Sequence, residues 1–109
     1  MIHVVLCDDH AVLRRGIRDT LAEAPDILVT GEAGGYSELR EVLRAAPCDV
    51  LLLDLNMPGR SGLEVLARVR REAAHTAMLM LAAVPDAQLL RAAVRLGARG
   101  IVDMAAEPN

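Results

Sequence analysis

The sequence has no lysine, no tryptophan and no phenylalanine, and Tyr36 is the single tyrosine. All 12 cationic side chains are therefore arginine, set against 15 carboxylates for a net charge of −3. Without a basic field the chain lacks the phosphate-neutralising surface on which nucleic-acid affinity rests. With one aromatic it has no stacking platform for single strands. Cysteine is scarce too. Cys7 and Cys48 are far apart, lack CxxC spacing and each lie in an apolar run, so both read as small core residues. The longest apolar run, Ala77 to Val84, is too short to span a bilayer, and two aspartates follow the N-terminus before a signal-peptide core could form. These absences predict a reduced, cytoplasmic protein with no membrane contact and no direct nucleic-acid binding.

What is present is enough for one domain, taken here as residues 1–109. A chain of 109 residues with 53% hydrophobic composition can bury about two-thirds of its unfolded surface, which excludes a disordered tail. Short apolar runs alternate with segments of helical period, the pattern of βαβ units around a parallel sheet. The runs are His3 to Cys7, Ile27 to Thr30, Val50 to Leu53, Met78 to Leu81 and Gly100 to Met104. Their continuous apolarity predicts strands buried on both faces.

Four helices fit between them. Leu13, Ile17, Leu21 and Ala24 form one stripe, giving a helix over Ala11 to Ala24 that Pro25 ends. Ser37 is the expected N-cap of a second, with Leu39, Val42, Leu43 and Ala46 inward and Pro47 beyond its end. A third runs from Ser61 to Glu72 with Leu63, Leu66 and Val69 inward. The fourth starts at Pro85 and Asp86, carries Leu89, Leu90, Ala93 and Val94, and ends at Gly97. Five strands and four helices leave a fifth helix absent or truncated.

Ligands of open parallel sheets bind beyond the strand carboxyl ends, where strand order reverses. Asp8 and Asp9 follow the first strand, and Asp54 ends the third, with Asn56, Met57, Pro58 and Gly59 after it. If these two strands are neighbours, three carboxylates converge. Unit charges about 4 Å apart repel by roughly 4 kcal/mol at an effective dielectric near 20, so the cluster calls for a cation or a proton. Oxygen ligands of this kind suit Mg²⁺. The plainer alternative makes Asp9 a helix N-cap and Asp54 a turn residue, which accounts for each aspartate singly but not for their convergence.

The run from Asp8 through His10, together with Asp54, Met57, Pro58 and Gly59, resembles the response-regulator receiver domains, most closely those of LuxR/NarL-type two-component transcription regulators. The resemblance covers nearly the whole chain. It implies a flavodoxin-like, doubly wound five-stranded parallel sheet in the order 2-1-3-4-5. It also implies Asp54 as phosphoacceptor, Asp9 as a direct Mg²⁺ ligand, Asp8 as a ligand through water, and the backbone carbonyl of Asn56 as a further ligand. The partner would be a sensor histidine kinase and the output transcription regulation through a separate DNA-binding domain.

Three positions depart from the family. Ala82 stands where a switch Ser or Thr is expected, Ile101 where an aromatic responds to it, and Met104 where a Lys contacts the phosphoryl group. A degenerate receiver, working as a dimerisation or docking module without phosphorylation, is the alternative these residues raise. Arg60 and Arg99 read as solvated arginines rather than replacement cations. An aspartyl-type phosphatase is disfavoured because Asn56 stands where such enzymes need a second Asp.

Other residues have plainer readings. His10 is expected to pack at the first helical turn, and His3 and His75 to lie at strand ends or on the surface. Gly31, Gly34 and Gly35 form a turn without the GxGxxG order of a nucleotide site, and Met78 and Met80 belong to the core. Of the adjacent Leu89 and Leu90, an exposed one belongs to a partner face. A missing last helix would leave apolar surface open on the first and fifth strands, which favours a homodimer or a longer regulator.

Overall fold

The computed structural model describes residues 1–57, 61–83 and 86–103. The elements run β1 (Ile2–Cys7), α1 (Ala11–Leu21), β2 (Ile27–Ala33), α2 (Tyr36–Ala45), β3 (Val50–Asp54), α3 (Gly62–Glu72), β4 (Ala77–Ala82), α4 (Ala87–Arg95) and β5 (Gly100–Asp103). All strand pairs are parallel, and the sheet order is β2-β1-β3-β4-β5. The step from β1 to β2 goes one way across the sheet and every later step the other. Right-handed crossovers therefore put α1 on one face and α2, α3 and α4 on the opposite face.

The two faces are not equally covered. Beneath α2, α3 and α4, the side chains of Val5, Cys7, Leu51, Leu53, Met78 and Met80 are fully buried against Leu39, Val65, Leu66, Val69 and Ala93. On the other face α1 has no buried residue, and Leu52 and Leu79 are only half-buried. Burial on both faces, expected from the apolar runs, therefore holds for β1 from Val4 onward and in part for β3 and β4, and it fails for the outer strands β2 and β5, which have a neighbour on one side only and remain largely half-buried or exposed. Among the described residues a single helix lies over that second face.

Local chemistry sets the boundaries. Ser61 caps α3 by accepting from the Leu63 N–H at 3.2 Å, and Asp86 caps α4 by accepting from the Leu89 N–H at 2.7 Å. At the end of α4, Gly97 takes φ +112°; its N–H donates to the Val94 carbonyl and that of Ala98 to the Ala93 carbonyl. This Schellman closure needs glycine at the left-handed position.

Three expected boundaries move. α1 ends at Leu21 rather than Ala24, because Glu23 and Ala24 turn back to Thr20 and Leu21 in tighter bonds ahead of Pro25. α2 begins at Tyr36 with Gly35 as its N-cap, so Ser37 lies inside the first turn and caps nothing. β2 continues through Gly31 and Glu32 to Ala33, since β1 supplies pairing partners as far as Cys7 after a register shift at Val4/Val5. Gly31 thus belongs to a strand, not to the turn. The positions Pro58, Gly59, Arg60, Pro85 and Met104, named in the sequence analysis, fall outside the described residues.

Two glycines test this packing with opposite signs. A Cβ on Gly62 would come within 2.6 Å of Leu55 Cα and 2.9 Å of the Leu55 carbonyl oxygen, whereas one on Gly16 meets nothing within 4 Å. Gly62→Ala is expected to destabilise the fold by about 2–3 kcal/mol, and Gly16→Ala to stabilise it by about 0.5–1 kcal/mol. Urea unfolding of the two variants beside the parent checks both signs.

Candidate functional site

β1 and β3 are hydrogen-bonded neighbours, with Cys7 in register with Leu53. Both strands therefore stop at the same end of the sheet, β3 on Asp54 and β1 on Cys7 with Asp8 directly after it. Asp8 and Asp54 are buried, at 1% and 6% exposure, while Asp9 is exposed. Ligand atoms of Asp8, Asp9, His10 and Asp54 all lie within 4.8 Å of one another. The convergence expected of the three carboxylates is realised, and it favours a shared role over separate capping roles. The N-cap of α1 is His10, not Asp9.

The same local turn orients both buried acids. The His10 N–H donates to Asp8 Oδ1 at 2.8 Å, and the Asn56 N–H donates to Asp54 Oδ1 at 2.8 Å. In each case an aspartate closes a turn onto the amide two residues later, which holds one oxygen and leaves the other for different work. Asp8 Oδ2 is enclosed and has no hydrogen-bond donor among the described residues. An anionic oxygen in that condition is costly unless a cation or proton meets it. The donor set is otherwise all oxygen, apart from the His10 ring, and fits a hard divalent cation.

Electrostatics point the same way. Burial, followed by the charges of Asp8 and Asp9, holds the Asp54 carboxyl above its ordinary value, against the opposing pull of the Asn56 amide. Burial and the adjacent Asp8 and Asp54 charges push the Cys7 thiol up to about 12. Cys7 is thus an inert core thiol, as its sequence context suggested. Its Sγ contacts Met57 Sδ at 3.7 Å, packing the turn after Asp54 onto β1.

His10 departs from expectation. It does not pack inward: its side chain is 66% exposed, with Nδ1 at 3.3 Å from Asp8 Oδ1 and 3.2 Å from Asp9 Oδ1. The extended backbone of an N-cap, with its amide held by Asp8, keeps the imidazole at the acidic rim. His3 is also engaged, with Nδ1 at 3.1 Å from Asp49 Oδ2 at the opposite end of the strands.

Of the positions that set this chain apart, Ala82 and Ile101 lie among the described residues. Ala82 ends β4, buried at 2% exposure and in register with Asp103, so the described residues at this strand end present a methyl group where a hydroxyl is expected. Ile101 is half-buried on β5 opposite Met80 and packs against the core. Arg99 precedes β5 and is exposed at the other end of that strand, away from the acids. Leu90 and Val94 are exposed on α4, Val102 is exposed on β5, and Leu89 is half-buried. Arg14, Arg18 and Glu32, on α1 and β2, are joined in an ion-pair cluster that the sequence reading missed. The arginine i,i+4 spacing on α1 was its only sequence signal.

Fold and site together define a doubly wound α/β domain with an acidic centre at the switch point of its sheet. The chain belongs to the response regulator receiver domain family, which matches residues 4–107. It is 34% identical over 106 residues to the nitrate/nitrite response regulator protein NarL of Escherichia coli K12, covering 97% of this chain and 49% of that protein. It is 36% identical over 109 residues to the response regulator UvrY of Escherichia coli O6:H1, covering 100% of this chain and 50% of that one. The chain thus spans about half the length of these curated relatives. Among solved structures, the receiver domain of a NarL response regulator from Mycobacterium tuberculosis superimposes with a TM-score of 0.85 at 31% identity, covering 97% of this chain and 86% of that one. The isolated REC domain of RcsB from Salmonella enterica serovar Typhimurium, solved with the phosphomimetic BeF3−, gives 0.90 at 27% identity, covering 98% and 80%. Receiver domains of this type are signalling domains that bind Mg²⁺ at an acidic pocket. No helix among the described residues is long and apolar enough to cross a membrane.

The raised position of Asp54 has a testable sign. Folding favours its protonated form, so the ionised carboxylate penalises the metal-free fold above the folded-state value, and the penalty vanishes as pH falls toward the ordinary carboxylate range. Asp54→Asn is expected to raise the melting temperature in EDTA at neutral pH, with the gain shrinking to nothing at acid pH. Melting curves of both proteins across that range check it.

Proposed function

We propose that the chain is a receiver module, residues 1–109, that accepts a phosphoryl group on Asp54 from the phosphohistidine of a sensor histidine kinase. The convergence of Asp54 with Asp8 and Asp9 carries this reading. The unpartnered Asp8 Oδ2 supports a metal at the same place. Asp8, Asp9, Asp54 and the backbone carbonyl of Asn56 would hold Mg²⁺, which supplies charge compensation for the incoming phosphoryl oxygens.

The protein's own residues do the rest. With Oδ1 held by the Asn56 amide, Oδ2 of Asp54 is the oxygen left to act as nucleophile. It attacks phosphorus as the bond to the kinase imidazole nitrogen breaks, giving an aspartyl phosphate. The modified domain would signal to a DNA-binding output in a longer regulator, with a second copy of the receiver as a further partner.

A second reading has its own observations. Ala82 offers no hydroxyl to the phosphoryl group, and Ile101 sits packed against the core where an aromatic switch would swing. These favour a module that docks or dimerises irrespective of phosphorylation, because a ligand shifts an equilibrium only through contacts that differ between its two states.

Incubation with Mg²⁺ and acetyl phosphate, read by intact mass, separates the two. A single phosphoryl adduct absent from Asp54→Asn is expected, and no adduct at saturating donor overturns the proposal. An adduct that leaves the amide resonances of α4 unmoved supports the uncoupled module. Met104→Lys combined with Ala82→Ser is expected to speed acquisition by roughly 10²–10³, the inverse of what losing one preorganised donor costs.

A further inference from the structure

Asp8 is held in a way that its own turn does not explain. Its N–H donates to the Ala33 carbonyl of β2 at 3.0 Å, and its backbone carbonyl accepts from Nη1 of Arg14. Both peptide groups flanking its Cα are thereby fixed, which fixes the direction of the Cα–Cβ bond. The His10 amide on Oδ1 then sets the remaining side-chain torsions and with them the place of Oδ2.

Arg14 can do this because it is itself anchored. Its Nε donates to Glu32 Oε1 at 3.1 Å, while Arg18, one turn further along α1, donates from Nη1 to Glu32 Oε2 at 2.7 Å. One carboxylate of β2 thus receives two arginines of α1, and only Arg14 reaches on to the β1–α1 loop. Its side chain is 22% exposed and that of Glu32 25%, so the contact is partly shielded from solvent. Glu32 also offsets the guanidinium charge, which lets Arg14 serve as a donor without opposing a cation at the aspartates. The planar fork of arginine, with several N–H groups in fixed directions, is suited to serve a carboxylate and a carbonyl together.

We infer that Arg14 is a positioning residue for the metal-binding carboxylates, acting through the backbone of Asp8. The inference rests on reading Asp8, Asp9 and Asp54 as metal ligands. Groups that orient ligands in this manner commonly change metal affinity by about 10–100-fold when removed.

Calorimetric titration of the whole chain with MgCl₂ tests it, with melting curves in EDTA to confirm folding. Arg14→Met is expected to weaken Mg²⁺ binding by about 10-fold or more. Arg18→Met, which loses the same Glu32 partner but no loop contact, is expected to stay within about 2-fold of the parent. Equal losses in the two variants, or unaltered affinity in Arg14→Met while Asp8→Asn abolishes binding, overturn the inference alone. A parent chain with no saturable Mg²⁺ binding, or an Asp8→Asn variant that binds as well as the parent, overturns the metal reading and the inference with it. Should Arg14→Met fail to fold, Arg14→Lys carries the same test: it keeps the charge, loses the rigid fork whose Nε and Nη1 meet the two partners, and is expected to bind Mg²⁺ more weakly than the parent.

Discussion

Parallel strands β1 and β3 end side by side, and the mutual repulsion of the aspartates at their ends is the constraint around which the site is built. Unit charges within 4.8 Å of one another repel by about 3.5 kcal/mol at an effective dielectric near 20. Two of the acids are buried, which adds desolvation to repulsion. The sheet nevertheless imposes the arrangement, because the register of β1 on β3 leaves the strand ends no freedom to part. Local turns satisfy one oxygen of each buried acid, and a cation is the natural partner for what remains.

The scaffold around the acids shares in that task. Met57 packs against Cys7 beneath the turn that follows Asp54, Leu55 presses its backbone against Gly62 at the start of α3, and β2 supplies both the Ala33 carbonyl and the Glu32 anchor. The proposed phosphoryl acceptance would need these fixed positions. Signal transmission needs something different, an element with two arrangements that the phosphoryl group can tell apart. Ala82 and Ile101 sit where such an element would act, and both are apolar and packed. The chain thus combines a converged acidic cluster with apolar groups at two positions on which, in the proposed function, a response would depend.

Much of this was legible in the residues. The alternation of apolar runs with helical stripes gave five strands and four helices, and Asp8, Asp9 and Asp54 stood out because they end apolar runs. Errors fell where pairing or turn geometry outweighs composition. Gly31 and Glu32 interrupt the apolar run of β2, yet backbone pairing to β1 does not require apolar side chains. Ser37 has the chemistry of a cap, yet the backbone turns one residue earlier, at Gly35. His10 was expected to pack at the first helical turn, yet its amide is committed to Asp8 and its ring stays at the exposed acidic rim.

The sequence by itself determined the element order, the acidic residues at the strand ends and the absence of lysine, since these depend only on side-chain type and spacing. Only the tertiary structure decided that β1 and β3 are adjacent in this chain, that Asp8 Oδ2 lacks a donor among the described residues, and that Arg14 rather than Arg18 reaches the loop. Each of these depends on distances between segments remote in the chain. Such distances are set by strand pairing and packing, which no local pattern of residues encodes alone.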